Sequence, residues 1–323
     1  RAMADPPRLK PLVAVGQVTS TPDKELNFAV CARLVREAAR RGACLVFLPE
    51  GFDYIGSNTA QTLSLAEGLD GDLVGRYAEL AKECGVWLSL GGFHERGQDW
   101  PTTQRIYNCH VLLDPAGERP PALPRRPGGP RLPQTFLSRT VSSPGNIVAA
   151  YRKTHLCDVE LEGRVTMKES SFTNPGTEIV APIGTPAGKL GLSICYDLRF
   201  PEISLALRRA GAEILTYPSA FTVPTGSAHW EVLLRARAIE SQCYVVAAAQ
   251  TGKNHERRTS YGHALVVDPW GAVVAQCHEG TGLCYAEIDL DYLHRIRQEI
   301  PVHGHRRPDL YGTVAATGLA PAP

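Results

Sequence analysis

The sequence predicts a layered α/β domain, and three observations carry that expectation. Short apolar runs of strand character alternate with stretches whose apolar residues recur at helical spacing. At 323 residues and 43% hydrophobic, the chain can bury one large core. The pattern Gly-Ala-x, apolar strand, Pro, polar residue occurs twice, at 42–50 and at 211–219. Strands interleaved with amphipathic helices favour sheets covered by helices.

Taken in order, the run 12–18 reads as a strand. Residues 23–41 carry Leu26, Val30, Leu34 and Ala38 at spacings of four, the mark of one helix face, and Gly42 closes the segment. A second strand at 45–48 ends in Pro49-Glu50. A helix is expected at 73–84, strands at 86–93 and 106–113, and a strand from 147 that leads into Arg152-Lys153. The strand 190–194 delivers Cys195. Next comes a helix from 202 to 210, with Pro201 at its first position, where the missing N–H costs nothing. A strand at 214–217, a helix at 229–242 and strands at 245–249, 262–267, 273–277 and 284–288 complete the reading. The repeated pattern follows a strand and a helix in each copy. Either it recurs by chance, as in many α/β chains, or the fold has two similar halves that bring Glu50 and Ser219 to one rim.

Composition excludes several function classes. Lys plus Arg number 34 against 33 Asp plus Glu, so the balance of +1 gives no electrostatic reason to expect nucleic acid or an anionic membrane as partner. The nine cysteines are odd in number and lack C-x-x-C spacing, which argues against a disulfide framework or a zinc knuckle and for a reducing compartment. No apolar run approaches the ~18 residues of a membrane span. The expected compartment is the cytoplasm, or the mitochondrion where a transit segment precedes Arg1. One domain is expected over 9–312, followed by a flexible tail at 313–323. Residues 118–145 interrupt it with seven prolines and five arginines, and Pro121, Pro124, Pro127, Pro130 and Pro133 fall every third residue. This insertion reads as a surface excursion or as a ligand for a proline-binding module; on the second reading the chain acts as an interaction protein.

Three residues suggest chemistry. Cys195 ends an apolar strand and is followed at once by Tyr196-Asp197-Leu198-Arg199 and a helix start. Such a turn presents a side chain at the top of a sheet beside backbone N–H groups, although a lone cysteine is also a common inert core residue. Glu50 stands at the carboxyl end of a strand, where open α/β sheets place ligands. It either caps the next segment or, with its pKa raised by desolvation, serves as a base. Lys153 follows the apolar run 147–150. It is either a surface lysine or an inward cation able to steady an oxyanion and favour the thiolate. A Cys–His pair with His155, His229 or His263 competes, without a protease-like signature around the thiol, and a serine nucleophile at Ser193 or Ser219 lacks the G-x-S-x-G context.

The stretches Phe47-Leu48-Pro49-Glu50, Tyr151-Arg152-Lys153-Thr154-His155-Leu156, Cys195 to Glu202 and Trp230 to Glu240 together resemble the nitrilase superfamily of carbon–nitrogen hydrolases. The stretches Leu88 to Glu95, Tyr217 to Phe221, Ser260 to His263 and His305 to Tyr311 resemble a vertebrate branch that hydrolyses deaminated glutathione. The resemblance implies a four-layer αββα sandwich with two pseudo-symmetric halves, a homodimer or higher homo-oligomer, and neither metal nor organic cofactor. It implies Cys195 as nucleophile, Glu50 as general base and acid, and Lys153 with the Tyr196 backbone N–H as oxyanion partners. Glu169 fits best as a second acid, with Glu160 as rival. Arg199 resembles the residue that grips a substrate carboxylate, and Phe221 and Thr225 resemble pocket residues. The implied reaction is metabolite repair: hydrolysis of the amide of deaminated glutathione to 2-oxoglutarate and cysteinylglycine through a thioester. ω-Amidase action on 2-oxoglutaramate is the alternative. The insertion departs from the family, in which a tight hairpin turns directly into the strand before Lys153; displacement of that strand would remove the oxyanion partner.

Overall fold

The computed structural model describes residues 10–116, 147–161, 165–314 and 319–320, so the proline-rich stretch and any partner it recruits lie outside the described residues. The chain forms two stacked sheets. In the first, β1 (Leu12–Val18), β2 (Leu45–Leu48) and β3 (Trp87–Glu95) run parallel, and β4 (Tyr107–Leu113) and β5 (Ile147–Arg152) add antiparallel. On its other side β1 pairs with Gly282–Glu287 and with Ala249–His255, which turns back as Arg258–Tyr261. The second sheet orders Val273–Gln276, Leu265–Val267, Tyr244–Ala247, Ile214–Thr216, Gly188–Gly191 and Ile183–Thr185. β4 and β5 pair from Cys109↔Arg152 to Leu113↔Ile147, so the strands flanking the insertion form a hairpin and Lys153 stays at its end.

Strand alternation builds the layers. Val13, Val15, Leu45, Phe47 and Leu112 point into the space between the sheets, where they meet Leu190, Ile214, Val245 and Val266. Their neighbours Ala14, Val46, Leu48, Val111 and Leu113 point the other way, against helices α1 (Lys24–Arg40) and Asp72–Cys84. Helices Pro201–Arg209 and Val223–Ser241 cover the far face of the second sheet through Ile203, Leu207, Trp230 and Leu234. The result is helix, sheet, sheet, helix. Each half runs strand, helix, strand, helix, strand before turning antiparallel, and this is the two-fold repeat that the doubled pattern suggested.

Local expectations needed three corrections. In α1, Asp23 caps the first turn by accepting from the Leu26 N–H at 3.0 Å, but Leu26 itself is exposed. A spacing of four drifts about 40° per step, so the buried stripe runs through Cys31, Leu34, Val35 and Ala38 instead. The helix expected from residue 229 begins at Val223, because Pro224 is compatible with a first turn that carries no apolar stripe. Residues 192–194 are extended but leave the ladder after Gly191. Near the C-terminus, Leu319–Ala320 pair in parallel with Ile179–Val180. Among the described residues no helix is long and apolar enough to cross a membrane.

The halves touch most closely at the strand ends. A Cβ on Gly91 would lie 2.0 Å from Pro218 Cβ and 2.9 Å from the Leu48 carbonyl; Gly92, at φ +70°, lies against Glu50. Both glycines sit in the bulge where the β3–β4 register shifts. Gly91→Ala is therefore expected to cost on the order of 1–3 kcal/mol through overpacking, seen as a lower urea midpoint. A wild-type midpoint would mean that the two rims have room to separate.

Candidate active site

Cys195 stands on a strained elbow. Its φ is +44°, in the left-handed region that a side chain disfavours, so the surroundings must hold it there. Its N–H donates to the Pro218 carbonyl at 3.0 Å, and the Ser193 hydroxyl donates to the Thr216 carbonyl. The Ser193 carbonyl lies 3.0 Å from His110 Nδ1, and a carbonyl only accepts, so Nδ1 carries the proton and Nε2 accepts from the Ser89 hydroxyl at 2.7 Å. Burial pushes His110 down to about 4, so the ring is neutral at physiological pH.

Asp197, which the sequence placed among the ionisable residues crowding the thiol, is a structural hub. Its side chain is fully buried. Oδ2 accepts from the Ile194 N–H at 2.8 Å and the Tyr151 hydroxyl at 2.8 Å, while Oδ1 accepts from the His155 N–H at 3.1 Å and faces His155 Nδ1 at 2.7 Å. One carboxylate thus fastens the elbow to both sides of Lys153.

Beside the thiol lies a chain of charges. Lys153 Nζ donates to Glu50 Oε1 at 3.1 Å and to both oxygens of Glu169, at 3.1 and 2.9 Å. The lysine side chain is only 2% exposed. Glu50 Oε1 also accepts from Asn108 Nδ2 at 2.8 Å, and Oε2 accepts from the Ala220 N–H at 3.1 Å. Glu169 Oε2 accepts from the Cys157 N–H at 2.7 Å. Glu169 is thus the acid that the structure brings to the lysine; the side chain of its rival Glu160 lies outside the described residues. The doubled sequence pattern is borne out here, because Glu50 meets the backbone one residue past Ser219.

The cluster sets three protonation states. Burial, together with repulsion from Glu50, pushes the Cys195 thiol well above its ordinary value despite Lys153. Burial also opposes charge on Glu50, but Lys153, the Cys195 thiol hydrogen bond, Arg258 and Asn108 outweigh it and hold the carboxyl below the usual carboxylate range. Burial works against Lys153 as well, and Glu169 and Glu50 together overcome it to raise the ammonium well above an ordinary lysine. These directions correct two expectations. Desolvation does not raise Glu50, because its cationic neighbours win, and Lys153 does not create a resting thiolate, because burial and the Glu50 charge win. The resting site is carboxylate, ammonium and thiol.

The remaining expected residues form a rim. Tyr196 follows the elbow directly, and the Arg199 guanidinium lies 5.6 Å from the Tyr196 ring centroid and 5.3 Å from that of Phe221. Phe221 packs on Trp230 at 5.0 Å. Thr225 is different: its hydroxyl bonds Thr222 Oγ1 at 2.9 Å within its own turn, and no contact to the ionic cluster accompanies it. The competing histidines are engaged elsewhere, His155 on Asp197, His229 with Arg199 at 3.2 Å, and His263 stacked on Tyr261. Sequence reading missed Asn108 and Arg258. An amide between Tyr107 and Cys109 in an apolar strand was the available signal for the first; the second sits on a hairpin that was not foreseen. Among the described residues, no group of three or more His, Cys, Asp or Glu side chains is arranged to hold a metal ion.

A family profile described as carbon–nitrogen hydrolase matches residues 12–298. A rat protein named deaminated glutathione amidase is 62% identical over 304 residues, covering 94% of this chain and 84% of its own. Among solved structures, the nitrilase and fragile histidine triad fusion protein NitFhit of Caenorhabditis elegans superposes with a TM-score of 0.82 at 45% identity, over 96% of this chain and 68% of that one. A Saccharomyces cerevisiae protein, described as a member of branch 10 of the nitrilase superfamily, superposes with a TM-score of 0.74 at 30% identity, over 93% and 97%.

Asp197→Asn keeps the shape but puts an amide where up to five donors converge. It is expected to cost about 3 kcal/mol in chemical denaturation and to reduce turnover as the elbow loosens. An unchanged midpoint with unchanged turnover would reduce Asp197 to a bystander.

Proposed function

The chain belongs to the carbon–nitrogen hydrolase family, and from that premise we propose that it hydrolyses the amide of deaminated glutathione, releasing 2-oxoglutarate and cysteinylglycine. The observation that carries the reading is a buried thiol on a positive-φ elbow, beside a carboxylate that is itself gripped by a buried ammonium. Similarity to amidases named for that substrate in rat, mouse and human, each 62% identical, supports the choice of amide. A 2-oxo acid end also suits Arg199, since a guanidinium offers a two-pronged match to a carboxylate.

In this mechanism Glu50 takes the Cys195 proton as sulfur attacks the amide carbonyl. The oxyanion is received by the Lys153 ammonium and the Tyr196 N–H. Glu169 holds the ammonium in place. Collapse transfers the proton from Glu50 to the departing amine and leaves a thioester on Cys195. Water, deprotonated by the same carboxylate, hydrolyses it and returns the proton to sulfur. Phe221, beside Arg199, lines the acyl pocket, whereas Thr225 stays engaged within its own turn. 2-Oxoglutaramate shares the acyl end, so relative kcat/KM on the two amides ranks them.

The same reading carries a homodimer or higher homo-oligomer, supported by the exposed apolar Val232 and Ile239 on the helix that covers the second sheet. It places the reaction in the cytoplasm or mitochondrion, in keeping with nine free cysteines.

Two measurements test the mechanism. Cys195→Ser is expected to lower kcat by at least about 10³-fold while the protein stays folded, and intact-mass spectrometry should find the acyl adduct on the wild type alone. Full activity in the variant rejects the reading. The pH profile follows from the active form, Glu50 ionised and Cys195 protonated. A lowered carboxyl keeps its charge to more acid pH, and a raised thiol keeps its proton to more alkaline pH, so kcat/KM should be flat from about pH 5 to 8.5. An acid limb with an apparent pKa above 6 would contradict it.

A further inference from the structure

The rim carries a second cation that the mechanism leaves unused. Arg258 opens the strand Arg258–Tyr261, which runs alongside the pocket segment: the Tyr261 N–H donates to the Phe221 carbonyl at 2.9 Å, and Thr222 bridges to Ser260. Its Nη2 donates to the Ala220 carbonyl at 3.2 Å. The N–H of that same Ala220 donates to Glu50 Oε2. One residue therefore joins the guanidinium to the catalytic carboxylate, and Arg258 is among the cations that hold Glu50 ionised. The arginine is partly exposed. Among the described residues it forms no ion pair with a carboxylate, and its hydrogen bond goes to a backbone carbonyl.

Two guanidinium groups thus reach the segment Ala220-Phe221 beside the site, Arg258 at the Ala220 carbonyl and Arg199 at the Phe221 ring, and chemistry distinguishes their roles. The leaving nitrogen must come to Glu50 to be protonated, so whatever is attached to that nitrogen extends on the Glu50 side of the sulfur. Arg258 is joined to the Glu50 carboxylate through Ala220. Arg199 stands on the elbow side, against Tyr196 and Phe221. We infer that Arg258 binds a carboxylate on the leaving amine, so that the site selects amides whose departing half ends in a carboxylate over those that release ammonia. The inference rests on the proposed function, and within it the ligand of Arg258 is the glycine carboxylate of the departing dipeptide. Two extended residues span about 7 Å, which lets that carboxylate search well beyond Glu50.

The test crosses two enzymes with two substrates: wild type and Arg258→Gln, on deaminated glutathione and on its C-terminal carboxamide. Any effect of the lost charge on Glu50 itself enters both substrates alike and cancels in their ratio. The wild type is expected to prefer the free acid by about 10- to 100-fold in kcat/KM, chiefly through KM, which is the size expected for a charge-assisted hydrogen bond. Arg258→Gln should bring the ratio close to one, and Arg258→Lys should recover part of it. Turnover of the carboxamide reports that each variant is folded. A wild-type ratio near one, a ratio untouched by Arg258→Gln, or variants inactive on both substrates would each overturn the inference. If the wild type cleaves neither these amides nor 2-oxoglutaramate, the functional reading fails first and takes this one with it.

Discussion

The site depends on one buried ammonium held between two carboxylates. Lys153 is almost wholly out of water, and Glu50 and Glu169 are close to it on both sides. Taking three charges out of water costs several kcal/mol per ion, and mutual attraction recovers this only when geometry is good and the remaining oxygens are satisfied. They are satisfied here, by Asn108, the Ala220 N–H and the Cys157 N–H. Such a cluster is a poor device for stability, since an apolar trio could pack the same space. On the mechanism proposed above, its value is an ionised base and a fixed cation waiting beside a thiol, which spares the reaction the reorganisation that water would demand.

The second constraint is convergence. The three chemical residues come from three strand ends in two sheets, so their spacing is only as good as the contact between the halves. Gly91 and Gly92 let Pro218 and Glu50 approach without intervening side chains, and Asp197 ties the Cys195 elbow to the residues flanking Lys153. The strain at Cys195 is sustained by this surrounding network and by the buried, neutral His110. Packing and chemistry therefore share residues, which explains why a carboxylate that touches no substrate in the mechanism lies two positions from the nucleophile.

Much of this was legible in the sequence, for identifiable reasons. Strand ends announce themselves, because a buried apolar run followed at once by Pro-Glu, Lys or Cys breaks the expected pattern. Glu50, Lys153 and Cys195 each became candidates in this way, and the doubled pattern offered the meeting of two rims as one of two readings. Protonation states were not legible. They depend on the balance between burial and neighbours from distant segments, and that balance reversed the expectation for Glu50. Asn108 was hidden because a single amide in a strand looks like an ordinary edge residue until its partners are known. Arg258 was hidden because its hairpin, rich in Arg, His and Glu, shows no alternating pattern. The 118–145 stretch had raised concern for Lys153, but a hairpin whose strands are already paired is indifferent to the length of its loop, since closure entropy grows only logarithmically.

A thiol kept protonated at rest has a consequence for selectivity. Thiolates react with oxidants and stray electrophiles in proportion to their population, so a site that stores the proton on sulfur is quiet until an amide arrives. In the proposed mechanism, attack needs the proton to pass to Glu50 as the oxyanion forms, and the charge that leaves the carboxylate reappears on oxygen beside Lys153. The buried cluster keeps its net charge throughout and only moves it from one end to the other. An electrophile that develops no oxyanion gains nothing from the ammonium, so the arrangement favours acyl transfer over simple alkylation. Burial, which disfavours the free thiolate most, is thus also what makes the coupled transfer selective.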